Sequence, residues 1–139
     1  MRKTLRSVPT RMALAIISAL VIGGGASAQS AYLWEELGSA DGLTVSYNPL
    51  TVKVENGVAT FLEKVAYATP ASLPNGEAVS YYTVRMTIDC AAGTYAHADY
   101  QAYGSDGAAM THVSDATPPG MHPIAPGGAP AAFQAKFCK

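Results

Sequence analysis

The stretch YYTVRMTIDC, residues 81–90, constrains the fold more than any other part of this sequence. Apolar and polar residues alternate along it without a break, which is the pattern of a β-strand with one buried face. The stretch ends at Cys90, and the only other cysteine is Cys138, the second-last residue. This placement predicts a long-range connection between the end of a strand and the end of the chain.

The first 28 residues are interpreted as a secretory signal peptide. Four basic residues and no acid precede an apolar run at 12–22, and Ala26-Ser27-Ala28 provides an A-x-A cleavage site. The run is shorter than the roughly 20 apolar residues that span a bilayer. We expect cleavage after Ala28 and a mature domain at 29–139, with a retained N-terminal anchor as the alternative. Residue 29 is Gln, so the acylated cysteine of a bacterial lipoprotein is absent.

The net charge of the mature domain limits the classes of partner that we expect it to bind. Removing the leader takes away four of the nine basic residues and none of the ten acidic ones, which leaves a net charge of about −5. Nucleic acid and anionic lipid need clustered cations, so neither is an expected partner. No later segment is long and apolar enough to be transmembrane. With the predicted signal peptide, we expect an exported protein, located in the periplasm, outside the cell or on its surface.

The predicted export also determines the expected oxidation state of the two cysteines. An oxidising compartment favours a disulfide between Cys90 and Cys138, and two buried free thiols are the alternative. The bridge would join positions 48 residues apart. On the chain-entropy model, closing such a loop stabilises the fold by about 4 kcal/mol.

The predicted fold class is α+β, mostly β: a single curved antiparallel sheet with a short C-terminal helix tied to its concave face by the disulfide. Turn signals separate about six strands, and Asn56-Gly57 is a strong two-residue hairpin signal. The expected strands are 31–37, 43–47, 51–55, 58–67, 81–90 and 94–103, with a loop at 69–78.

A helix of two to three turns is predicted to begin at Pro130, a residue suited to the first helical turn. Phe133 and Phe137 are four residues apart and therefore share one helical face. Alternation along 94–103 predicts one row of mostly small side chains on the inner face of the sheet, where Phe133 and Phe137 would fill the space. The row is Ala96, Ala98, Tyr100 and Ala102.

The sequence carries no constellation that predicts an enzyme, a metal site or a cofactor. There is no G-x-S-x-G motif, and adjacent Glu35 and Glu36 point to opposite faces of a strand. His97 and Asp99 have the spacing to begin a metal site, but a solvated polar face is the favoured interpretation. The best candidate contact surface is an outer-face stripe of Tyr81, Tyr95 and Tyr103 flanked by Arg85, because tyrosine is enriched in binding patches. The alternative is that these tyrosines are ordinary cross-strand fillers.

The runs MTIDCAAGTYAHADYQAYGSDG and MHPIAPGGAPAAFQAKFCK resemble the surface-adhesin protein E-like family of exported bacterial domains. The matching features are the strand that ends at Cys90, the following Thr94-Tyr95, the Pro-Ile-x-Pro-Gly loop at 123–127, and the final Cys138-Lys139. Met121 departs from the pattern, because the family often has an aromatic residue there. No binding residues are carried over.

The resemblance implies an antiparallel sheet with a disulfide-tied helix, an envelope or surface location, a monomer or a homodimer, and, for the named member, binding of host extracellular proteins. The expected function is a non-enzymatic exported interaction module of adhesin E type, with an unidentified protein partner and no cofactor. The alternative is a periplasmic structural or stress-related protein without a host ligand. An enzyme is the third hypothesis, and the missing nucleophile and acid/base pair argue against it.

Overall fold

A computed structural model of the protein describes residues 33–139, so the predicted signal peptide at 1–28 lies outside the described residues. Within 33–139 the chain forms eight strands, a 3₁₀ turn at Pro49–Thr51 and one helix, α1, at Ala129–Phe137. The strands are β1 (Glu35–Ala40), β2 (Leu43–Tyr47), β3 (Lys53–Glu55), β4 (Val58–Ser72), β5 (Ala78–Asp89), β6 (Thr94–Tyr103), β7 (Ala109–Met110) and β8 (His122–Pro123).

The strands form one antiparallel sheet in the order β1-β2-β4-β5-β6-β7. β3 pairs with the beginning of β4, and β8 pairs with the beginning of β6. The predicted fold class is confirmed: a mostly-β antiparallel sheet with one helix near the C-terminus. β1 to β6 correspond to the six expected strands, and β7 and β8 are two-residue additions that are too short to show a period-2 pattern.

Two hairpin turns have the backbone that their sequence demands. Asn56 and Gly57 have φ angles of 51° and 75°, and Asp41 and Gly42 have φ angles of 52° and 75°. Two-residue hairpin turns of type I′ need positive φ at both positions, which Asn-Gly and Asp-Gly provide. β1 therefore extends beyond its expected end at residue 37, and Gly38–Ala40 pairs with β2 up to the Asp41-Gly42 turn.

The hairpin of β4 and β5 is longer than the sequence predicts. Residues 69–72 were expected in a loop, but β4 continues to Ser72, and Ala71 pairs with Val79. The register shifts between Ala66 and Ala71, and Pro70 lies in this irregular part. Proline is tolerated at such a position because its missing N–H is not needed for a regular ladder. The loop is thereby reduced to residues 73–77.

The two faces of the sheet differ in burial. We call the face that carries α1 the inner face and the opposite one the outer face. Inward residues of β4 and β5 are buried, whereas outward residues of the same strands are partly or fully exposed. The main buried cluster comprises Tyr47, Ala59, Phe61, Met86, Ile88 and Phe133. A second buried cluster, Val79, Ala102 and Met110, lies towards the β7 side.

Helix α1 packs through its two phenylalanines, as its spacing predicts. The Phe133 ring lies 4.5 Å from the Phe61 ring and 6.0 Å from the Tyr47 ring, measured between centroids. The Phe137 ring lies 5.0 Å from Phe61 and 5.4 Å from Tyr47. The expectation that the helix covers the alanine row of β6 is therefore wrong, because it packs on aromatic residues of β2 and β4.

A β-bulge in β6 explains that error. Thr83 pairs with Gln101 and Arg85 pairs with Ala98, so Asp99 and Tyr100 together oppose the single residue between them on β5. Asp99 adopts a φ of 53°, a left-handed conformation that Asp tolerates better than most residues. One extra residue reverses which face each later side chain points to. Ala96 and Ala98 consequently face outward, whereas Tyr100 and Ala102 face inward.

The predicted disulfide between Cys90 and Cys138 is present, and it joins β5 to α1. Cys90 follows β5 directly, Cys138 follows α1, and their Cα atoms are 5.5 Å apart. The Cys90 N–H donates to the carbonyl of Gly57 at 2.9 Å, and the Cys138 N–H donates to the carbonyl of Gln134 at 2.9 Å. The bridge therefore holds the end of the helix to the end of the sheet.

Replacing either cysteine by serine is expected to lower the free energy of unfolding by several kcal/mol, because the chain loses its covalent loop closure. The measurement is urea denaturation of Cys90→Ser, Cys138→Ser and the double variant under the same conditions. The double variant should resemble the single ones, since all three lack the same bond. Unchanged midpoints of urea denaturation in both single variants would contradict a stabilising role for the bridge.

Replacing Phe133 by alanine is expected to cost about 3–5 kcal/mol, the usual range for a fully buried phenylalanine. Its side chain is 0% exposed. Phe137→Ala is the matched control on the same helix face, because Phe137 is only partly buried and should cost less. Chemical denaturation of both variants compares them, and equal losses would show that the helix is not anchored mainly through Phe133.

Candidate functional site

The outer face of the central strands is the open side of the molecule, because α1 and the main core lie on the inner face. Its residues on β4 and β5 are mostly small or polar, such as Thr60, Thr83 and Thr87, and none of these three is buried. An open face of this kind is available to a partner without any rearrangement of the fold.

An aromatic row crosses one end of this face. Tyr81 and Tyr103 are direct cross-strand partners, and their rings are stacked at 4.6 Å with 13° between the planes. The Lys64 ammonium lies 4.6 Å from the Tyr81 centroid and 5.4 Å from the Trp34 centroid. We call Trp34, Lys64, Tyr81 and Tyr103 the outer aromatic row. Stacked rings contribute about 0.5–1.5 kcal/mol, and exposed cation–π contacts contribute about 0.5–1 kcal/mol, so the row is held in place before any partner arrives.

The outer aromatic row lines an open groove with a volume of about 390 Å³. The groove also contains a charged and an amide side chain, which supply hydrogen-bonding groups beside the rings. Partial burial raises the pKa of Tyr81, so its phenol stays neutral. The remaining lining residues are Leu62, Thr83, Asp99 and Gln101.

Arg85 lies on the outer face, as predicted, and forms an ion pair with Asp99. The Arg85 Nε atom donates to the Asp99 Oδ2 atom at 2.8 Å, and both side chains are more than half exposed. The bulge that reverses β6 thus also brings Asp99 to the edge of the groove. An exposed pair of this kind contributes at most about 1 kcal/mol to stability, so its main effect is to place one charge of each sign next to the rings.

Tyr95 does not belong to the predicted outer stripe. It pairs with Ile88 across the β5–β6 ladder and packs against the main core, so it faces inward. The bulge separates it from Tyr103, because the two tyrosines lie on opposite sides of the inserted residue. Beside Tyr81 and Tyr103, the outer face carries Trp34 and Lys64 instead of the predicted Tyr95.

The inner face carries polar residues that the sequence reasoning did not single out. Glu63 is only 3% exposed, and its cross-strand partners are Tyr47 and Val84. Burial, together with the nearby Asp115 carboxylate, raises its pKa to about 8. The sequence did contain a signal for this buried residue. Ala59, Phe61 and Val65 alternate along β4, and Glu63 occupies the inward position between Phe61 and Val65.

His97 and Asp99 do not form a shared site. His97 pairs with Met86 on the inner face, and its Nδ1 atom is 3.1 Å from the Asp115 Oδ2 atom, whereas Asp99 lies at the outer groove. Among residues 33–139, no three His, Cys, Asp or Glu side chains are arranged to hold a metal ion. In the same part of the chain, no helix has the length and apolar character needed to cross a membrane.

Comparison with known proteins identifies relatives of this fold. The family model described as surface-adhesin protein E matches residues 34–139. A crystal structure of protein E from non-typeable Haemophilus influenzae superimposes with a TM-score of 0.54 at 10% identity, covering 74% of each chain. A second Haemophilus influenzae protein E structure superimposes with a TM-score of 0.52 at 11% identity, covering 77% of this chain and 91% of that one. At these identities the structural likeness concerns the fold, and no curated protein matches the sequence.

Proposed function

The chain belongs to the surface-adhesin protein E family, and we propose that it is an exported, non-enzymatic bacterial interaction protein that binds a macromolecular partner through the outer face of its sheet. The observation that carries this proposal is the outer aromatic row on an uncovered sheet face. Tryptophan and tyrosine are the residues most enriched among those that dominate binding energy at protein interfaces.

The size and rigidity of the face support a protein partner. β6 is ten residues long, and a face three strands wide and ten residues long covers roughly 500 Å² at ordinary strand spacings. Standard protein interfaces bury about 800 Å² on each partner, so this face supplies most of one side. The rings of Tyr81 and Tyr103 are already stacked on each other, and a partner therefore loses little free energy in ordering them.

The proposed location is the cell surface, although residue 29 is not a lipoprotein cysteine. Protease treatment of intact cells, followed by a blot for the mature chain, is expected to remove the protein. A periplasmic marker protein must survive the same treatment, and the purified chain must be cleaved by the same protease. Full protection of the chain would place it in the periplasm and favour a structural or stress-related role without a host ligand.

Truncating the outer aromatic row is expected to weaken partner binding. Loss of a dominant contact residue typically costs 2 kcal/mol or more, which is roughly a 30-fold loss of affinity. The assay measures the binding of labelled mature protein to cultured animal cells for Tyr81→Ala and Tyr103→Ala.

Thr87→Ala is the matched control, because Thr87 also lies on the outer face but pairs with Ala96 and Thr60, away from the row. Melting temperatures of all variants must be compared with the parent protein first. Equal binding by the parent and both tyrosine variants would exclude the row as the contact site.

A further inference from the structure

The outer edge of β1 and the beginning of α1 border an open groove on the inner face of the sheet, with a volume of about 380 Å³. The hairpin of β1 and β2 contributes Leu37, Leu43 and Val45, and α1 contributes Ala129 and Ala132. Leu37, Val45 and Ala129 also pack against the main buried cluster, and each is only partly buried. The groove is therefore an open margin of the core, where apolar side chains remain accessible.

The groove is open partly because residue 38 has no side chain. Gly38 pairs with Val45, and directly opposed residues project to the same face, so a side chain at residue 38 would point into the groove. A Cβ atom placed on Gly38 would meet no atom within 4 Å apart from those of its chain neighbours. The space can therefore hold a side chain that β1 does not supply.

β1 is an edge strand, because among residues 33–139 it pairs with β2 alone. Along β2, the backbone groups of successive residues alternate between its two neighbours, and the Gly42 carbonyl accepts from the Ala68 N–H of β4 at 2.8 Å. By this alternation Thr44 also bonds to β4, so its β1 partner Ser39 directs its N–H and C=O away from β2. The backbone of Ser39 is thus available to pair with one more extended strand.

The charges around this edge favour one kind of partner. β1 and the turn after it carry the carboxylates of Glu35, Glu36 and Asp41, and Asp41 lines the groove. Among residues 33–139, only Glu35 of these three forms an ion pair, with Lys136 at 3.4 Å. A second copy of the chain would bring the same carboxylates and a net charge of about −5, which disfavours self-pairing at this edge. A basic segment would instead complement the charge.

We propose that the β1 edge binds a short extended segment of another protein, which pairs its backbone with β1, inserts an apolar side chain beside Gly38 and places lysine or arginine near Asp41. Strand addition of this kind obtains affinity from main-chain hydrogen bonds and specificity from pockets for alternate side chains. The paired segment is no longer than β1, which has six residues and a register shift between Glu36 and Gly38. This site does not rest on the outer aromatic row, which lies on the opposite face.

NMR titration of the mature protein with synthetic peptides tests this proposal. The probes alternate threonine with an apolar residue, either valine, leucine or phenylalanine, and carry lysine at both ends. The best of them is expected to shift the amide signals of β1 and of the beginning of α1. It should also slow hydrogen exchange of the Ser39 N–H, which gains a bond to the peptide. The same peptide N-methylated at every residue lacks backbone donors and should bind at least about tenfold more weakly.

Filling the groove should block the peptide and leave the fold intact. Gly38→Leu places a side chain in the empty space, and Ala132→Arg adds a long cationic side chain at the groove. Each should weaken binding by about tenfold or more. Ala135→Arg is the matched control, because Ala135 is exposed on the same helix and does not line the groove. Asp41→Asn preserves a turn residue that accepts positive φ and should weaken binding by up to about fivefold.

Three results would overturn the proposal. One is that no lysine-ended peptide shifts the β1 signals at millimolar concentration. Another is that Gly38→Leu and Ala132→Arg both bind the best peptide as tightly as the parent protein does. The third is self-association of the mature protein that Gly38→Leu abolishes and the peptides do not compete with, which would assign the edge to a second copy. Should Gly38→Leu fail to fold, the comparison of Ala132→Arg with Ala135→Arg decides.

Discussion

The docking of α1 onto the sheet decides how the rest of the molecule is organised. The helix has nine residues, too few to be stable alone in water. It persists because Cys138 is bonded to Cys90 and because Phe133 packs against both Tyr47 and Phe61. Because α1 docks on the inner face, the inward side chains of the central strands form the core and the outward ones remain in solvent. The outer aromatic row is therefore exposed because the helix docks on the opposite side of the sheet.

Much of the fold was predictable from short sequence patterns, because each pattern depends only on the backbone geometry of its own strand, turn or helix. The alternation along 81–90, the Asn56-Gly57 turn and the spacing of Phe133 and Phe137 each reflect the geometry of a single element. The family was also predictable, because the cysteine spacing and the Pro-Ile-x-Pro-Gly loop are specific. The position of the helix on the sheet was less accessible, since it depends on which residues of β2 and β4 lie beneath it.

The bulge at Asp99 marks where sequence reasoning failed at the candidate site. Alternation assumes that every residue advances the strand by one step, and a single inserted residue exchanges the two faces beyond it. The segment HADYQ carries no Gly or Pro to announce the change, and Asp adopts the required backbone without glycine. Tyr95 was therefore assigned to the wrong face, while Tyr103, beyond the insertion, faces outward with Tyr81. Trp34 and Lys64 join the row through contacts between residues that are far apart in the sequence.

Glu63 and Lys64 show how one strand serves both faces. They are consecutive on β4, so the period of two places Glu63 in the buried interior and Lys64 in the outer aromatic row. Replacing Glu63 by an apolar residue would improve the core, because a buried carboxyl group without a partner is costly. A buried carboxyl group and a contact surface can coexist on β4 because its ladders to β2 and β5 hold the backbone fixed. The ladders that keep Glu63 on the inner face therefore also fix Lys64 and Tyr81 on the outer face, so the buried row and the outer aromatic row share one rigid backbone.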